Sequence, residues 1–159
     1  MLFSLGMSYA YWASSVNGNN NGSTGNVNLG DWYDGIPIYT IDEFIEMVTT
    51  NNNNQHYVLA KDLDFNNITP PSWIDTSTTT FTGSFDGLGH SLSNISLTTH
   101  RGIFGVLEGA TVKNLVLNNI NVQFTSTVGL LSSGILVGRM QGNNNLIENI
   151  TVNNSVSVN

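Results

Sequence analysis

The amino-acid sequence predicts an all-β solenoid covered at its start by one short helix, and three observations carry that prediction. From His56 onward, short runs of β-branched and aliphatic residues are broken by Gly and Asn, which is how strands and their turns punctuate a sequence. A six-residue template, apolar-x-Asn-apolar-x-apolar, recurs at Leu92–Leu97, Val112–Leu117 and Ile147–Val152. Short strands repeating in this way mark a solenoid, whose units bury their apolar faces only against neighbouring units. Finally, 24 Asn, 16 Ser, 16 Thr and 16 Gly supply 72 of the 159 positions, whereas charged residues make up 9%, against roughly a quarter in an average globular protein. A like charge repeated at one coil position would stack on itself, so a solenoid disfavours charge.

Length and charge bound the function. A chain of 159 residues holds one compact domain plus a tail. Net charge −7 removes the basic footprint of a phosphate-backbone binder, so nucleic acid and anionic membranes are not expected partners. The absence of cysteine excludes disulfides, thiolate metal sites and cysteine nucleophiles.

The elements follow in chain order. Residues 1–34 read as a signal remnant or tail strand followed by a linker. The apolar start is too short to span a membrane. Ser8 and Ala10 have the small side chains that signal peptidase reads, while the alternation from Leu2 to Tyr11 equally suits a strand. Residues 14–28 are almost entirely Asn, Gly, Ser and Thr, with too little apolar surface to offset ordering entropy. The stretches Ala10–Gly18 and Val27–Trp32 resemble the processing region of camelysin-like surface proteins, which implies export. The domain proper is expected over 35–159. Thr40 and Glu43 form a capping box that starts a helix at about 40–50, with Ile41, Phe44, Ile45 and Val48 as its apolar stripe and the Asn51–Asn54 run as its end. The strands then follow. An Asn recurring at one coil position can form an amide ladder across rungs spaced roughly 4.8 Å apart, and it tolerates the left-handed backbone of coil corners. Asn94, Asn114 and Asn149 are therefore expected to be structural.

Tyr57–Phe65, Phe81–His90, Gly102–Gly105 and Gly134–Gly138 resemble the GLUG-motif β-helix of bacterial surface proteins, a likeness that covers 35–159 and extends to the preceding helix. The resemblance implies a right-handed parallel β-helix, displayed at the bacterial cell surface or outside the cell, with no enzymatic activity of its own. Val128–Gly138 departs from the pattern through a duplicated Gly-Leu-like step that lengthens one coil.

A few residues on this scaffold could bear chemistry. Asp62 and Asp64 alternate on one strand face and Asp86 falls about one coil later, so these three are the candidates for an acid pair or a cation site. Four Lys and Arg make no array to hold an acidic sugar, and Asn67 and Trp73 replace the Gly and Glu of a calcium loop. Turn stabilisation is the expected role of these aspartates, and no cofactor, metal or catalytic residue is assigned. His56, His90 and His100 lack zinc spacing. Trp73, Trp32 and Tyr33 are candidate sugar-stacking rings, or covers for the first coil. At the other end, Ser155, Val156, Ser157 and Val158 alternate without charge and are expected to form an assembly edge. The expected function is a non-catalytic structural or adhesive surface module, partnered by itself, by neighbouring domains of a larger surface protein, or by glycans on a host surface. Head-to-tail pairing of copies would build a filament. A carbohydrate-binding module is the alternative, and a polysaccharide-active enzyme the third reading.

Overall fold

The computed structural model describes residues 33–66, 79–97, 102–122 and 134–154, all within the second of two compact units, Trp32–Asn159. Two elements open it, strand β1 (Ile36–Ile38) and helix α1 (Ile41–Thr49). Eleven strands follow: β2 (His56–Leu59), β3 (Leu63–Asp64), β4 (Thr80–Phe81), β5 (Ser84–Asp86), β6 (Ser91–Ser93), β7 (Ser96–Leu97), β8 (Phe104–Glu108), β9 (Thr111–Asn118), β10 (Asn121–Val122), β11 (Val137–Gln141) and β12 (Leu146–Asn153). The described residues are thus mainly β, with one helix, and all strand pairs are parallel.

The parallel pairs build three sheets. In the largest, Ile36 pairs with Tyr57, Tyr57 with Phe85, Phe85 with Val112 and Val112 with Ile147, so one column of residues runs through β1, β2, β5, β9 and β12. The second half of β9 pairs with β6, which pairs with β3. A second sheet runs β4, β8, β11, and a third joins β7 to β10. Parallel strands cannot be joined by a tight hairpin, so each pairing spans tens of residues of chain. The turn between β5 and β6 places Gly87 against the β9 backbone, where a β-carbon would run into the Asn114 carbonyl. That close approach explains a glycine at this position.

Helix α1 begins as its capping box predicts. Thr40 Oγ1 accepts from the Glu43 amide at 3.3 Å, and Glu43 Oε2 accepts from the Thr40 and Tyr39 amides at 2.9 and 2.8 Å. Those two amides hold the Glu43 carboxyl below the ordinary carboxylate range. The buried face is Phe44, Met47 and Val48, while Ile41 and Ile45 are only half-buried, so the apolar stripe is rotated toward Met47 relative to the expectation. Phe44 meets Phe65 and Phe85 edge-on, each with 5.9 Å between ring centroids. Phe85 in turn packs on Phe104, and Phe104 on Phe81, making an aromatic spine from the helix into the strands. Each fully buried ring contributes roughly 1.5–3 kcal/mol by removal from water. Asn53, buried at the helix exit, ties the two together: its Nδ2 donates to the Met47 carbonyl at 3.1 Å and to Tyr57 Oη at 3.0 Å.

Candidate functional site

The most organised polar feature among the described residues is a set of amide columns that cross the rungs. In one, Asn114 donates to Asp86 Oδ1 at 2.9 Å and Asn149 donates to Asn114 Oδ1 at 2.8 Å. In another, Asn94 donates to Asp64 Oδ1 at 2.7 Å and Asn119 donates to Asn94 Oδ1 at 2.6 Å. A third runs from Ser93 Oγ through Asn118 to Asn153, at 3.4 and 3.1 Å. On the second sheet, Gln141 donates to Glu108 Oε2 at 2.9 Å. Local backbone fits the residue type, since seven of the eight described non-glycine residues at positive φ are Asn, including Asn94, Asn114, Asn119 and Asn149.

The columns differ from the simplest reading of the repeat. Asn114 and Asn149 share a column, whereas Asn94 stands in a separate one with Asn119. The reason is register: Leu92 pairs with Leu117, so the rung above Leu92–Leu97 is Leu117–Val122, not Val112–Leu117. The sequence held the signal, because Leu117-Asn118-Asn119-Ile120-Asn121-Val122 fits the same template, overlapping the copy before it. Nothing comparable marked Asn53, or Gln141 and Glu108, whose pairing depends on loop length.

The three aspartates singled out by sequence fall at different places. Asp64 and Asp86 head separate columns, and each also accepts a backbone amide, from Asn66 and Leu88 respectively. Burial pushes the Asp86 carboxyl up, but donation from Asn114, Leu88 and Lys113 outweighs it and holds the group below its ordinary value. Lys113 Nζ lies 3.2 Å from Asp86 Oδ2. Asp62 accepts from the Ser91 amide at 2.7 Å, which lowers its pKa, with His90 Nδ1 at 3.4 Å. No group of three metal-ligating acidic, His or Cys side chains occurs among the described residues. His56 Nδ1 lies 2.6 Å from Ser84 Oγ across the rungs.

Of the candidate rings, Tyr33 is half-buried and packs edge-to-face on exposed Tyr39, with centroids 6.2 Å apart. Tyr39 borders a groove of about 460 Å³ shared with Thr40, Lys61 and Asp62. Trp32, Trp73 and the Ser155–Val158 stretch lie outside the described residues. No described helix is long and apolar enough to cross a membrane.

These features define a class, a chain of stacked parallel strands whose polar positions are joined by side-chain amides. In sequence the chain is similar to Halomucin of Haloquadratum walsbyi, with 30% identity over 140 residues. The likeness covers 76% of this chain and 2% of that protein, so the chain spans a very small part of its relative. The relative is archaeal, which lends no support to the expected bacterial source. No protein-family model and no solved structure matches the chain.

Proposed function

We propose that residues 35–159 form a right-handed parallel β-helix of the GLUG-motif kind, serving as a non-catalytic structural or adhesive module of a protein at the cell surface. The observation that supports this most is the engagement of the carboxylates: Asp64, Asp86 and Glu108 accept from amides of the next rung, so the acids that chemistry would need are used to join rungs. The similarity to Halomucin supports a surface location, and an abundance of Asn, Ser and Thr suits a module whose neighbours are other extracellular domains.

Protease shaving of intact cells that make the protein tests the location. Peptides from 35–159 are expected in the supernatant before lysis, and their appearance only after lysis overturns the surface reading. Incubation with a panel of polysaccharides tests the chemistry. No released product is expected; product that disappears in Asp86→Asn overturns the non-catalytic reading.

The exposed Tyr39 beside Tyr33 and the adjoining groove favour one alternative, glycan binding by ring stacking. Saturable glycan retention that is lost in Tyr39→Ala, with the thermal midpoint unchanged, would establish that alternative.

A further inference from the structure

The amide columns share one direction, fixed by an acidic head in the columns that start from Asp64, Asp86 and Glu108 and followed by the column that starts from the Ser93 hydroxyl. An ionised carboxylate can only accept hydrogen bonds. Asn94, Asn114 and Gln141 must therefore point their NH₂ groups toward Asp64, Asp86 and Glu108, leaving their oxygens for the following rung. Asn119 and Asn149 donate into those oxygens and repeat the orientation. Asn153 donates the same way into Asn118. At β11 and β12 the consequence is a row of amide oxygens, those of Gln141, Asn149 and Asn153, with no donor among the described residues.

The apolar positions of β12 are equally incomplete. Ile147 and Val152 pair with Val112 and Leu117, both 0% exposed, yet are themselves 39% and 48% exposed. Ile150 pairs with buried Leu115 and is half-buried. No described strand pairs with the far side of β12.

We infer that the β12 edge receives a parallel strand from another coil unit. That strand carries apolar residues opposite Ile147, Ile150 and Val152, and side-chain amides opposite Asn149 and Asn153. Backbone pairing gives affinity and the alternate side chains give specificity, as in other strand additions. A second copy of this chain added head to tail is the wrong occupant. Its leading edge is β1, whose three residues Ile36, Pro37 and Ile38 carry no side-chain amide and which runs into α1 with Asp42, Glu43 and Glu46, so the Asn149 and Asn153 oxygens would find no side-chain donor there.

This inference rests on the β-helix reading, and one NMR experiment separates the two. The full chain is titrated with a synthetic peptide copying Thr111–Asn119, whose Asn114 and Asn118 positions would fall over Asn149 and Asn153. Slow hydrogen exchange is expected in β5 and β9 without peptide, and the peptide is expected to protect β12 amides saturably. A peptide with aspartate at both Asn positions should bind about tenfold or more weakly at pH 7, having lost two hydrogen bonds. It should regain affinity once acidification protonates those carboxyls. Val152→Lys, at an exposed site, should abolish binding without altering β5 and β9.

Protected inner strands with no peptide binding, or equal binding of the aspartate peptide at pH 7, overturn this inference and leave the β-helix standing. Concentration-dependent protection of β12 without peptide overturns it in favour of a second copy. Unprotected β5 and β9 overturn the β-helix itself.

Discussion

Strands β9 and β12 carry the same template in register, and only one of them is buried. Val112, Leu115 and Leu117 sit in the core, whereas their partners Ile147, Ile150 and Val152 retain substantial solvent exposure. Residue type, alternation and backbone are matched, down to the left-handed Asn114 and Asn149. What differs is the number of neighbours, since β9 lies between β5 and β6 on one side and β12 on the other. Burial in a stacked sheet is therefore a property of position along the stack, and one sequence pattern serves both as core and as edge.

The largest effects should separate these two strands. Leu117→Ala on β9 removes a side chain that is 0% exposed and is expected to cost about 2–5 kcal/mol. Ile147→Ala on β12 is expected to cost under about 1 kcal/mol, as partly exposed substitutions do. Urea midpoints of the two variants measure the difference, and equal losses would mean that β12 is covered as fully as β9.

The amide columns give the next contrast. Asn114 both donates to Asp86 and accepts from Asn149, while Asn149 has a partner on one side. Asn114→Leu loses that join at a left-handed residue and should cost about 2–4 kcal/mol. Asn149→Leu should cost roughly half as much on the same grounds. Asn114→Gly, which keeps the backbone conformation, isolates the column at about 1 kcal/mol in the same urea experiment.

The helix end offers a smaller test, because it does not depend on the edge at all. Thr40→Ala deletes the capping box acceptor and should cost about 1 kcal/mol, lowering the thermal midpoint by a few degrees whether or not a strand occupies β12. Any change in the slow exchange of β12 amides in this variant would show that the two ends communicate.

The pH dependence is the mildest prediction. Glu43, Asp62 and Asp86 all have folded pKa values below their ordinary ones. Their contribution is present above the ordinary carboxylate range, and it is lost as pH falls through the lowered folded values. Stability should be flat from about pH 7 to pH 5 and decline below about pH 4. Asp86→Asn should shallow that decline, and an unchanged slope would remove Asp86 from the account.

Much of the local structure could be read directly. Thr40 and Glu43 marked the helix start because both partners of a capping box lie within one turn. Asn114 and Asn149 share a column because their strands align without an inserted turn residue. Asn94 falls in a separate column because Gly87–His90 inserts a turn between β5 and β6 that β9, continuous past Asn114, does not have. The template around Asn94 therefore slides onto Asn119. Met47 joins the core outside the stripe of Ile41, Phe44, Ile45 and Val48, because the helix face is set by what packs on it, here Phe65 and Phe85 through Phe44.

The sequence by itself determined the β character, the single helix with its cap, and Asn at left-handed corners, since each follows from side chains acting within a few residues of their own backbone. Only the tertiary structure decided which amides meet, which acids head the columns and which copy of the template is buried. Those depend on contacts between residues 21 to 35 positions apart, and their register is set by the lengths of the intervening turns, which no local pattern encodes.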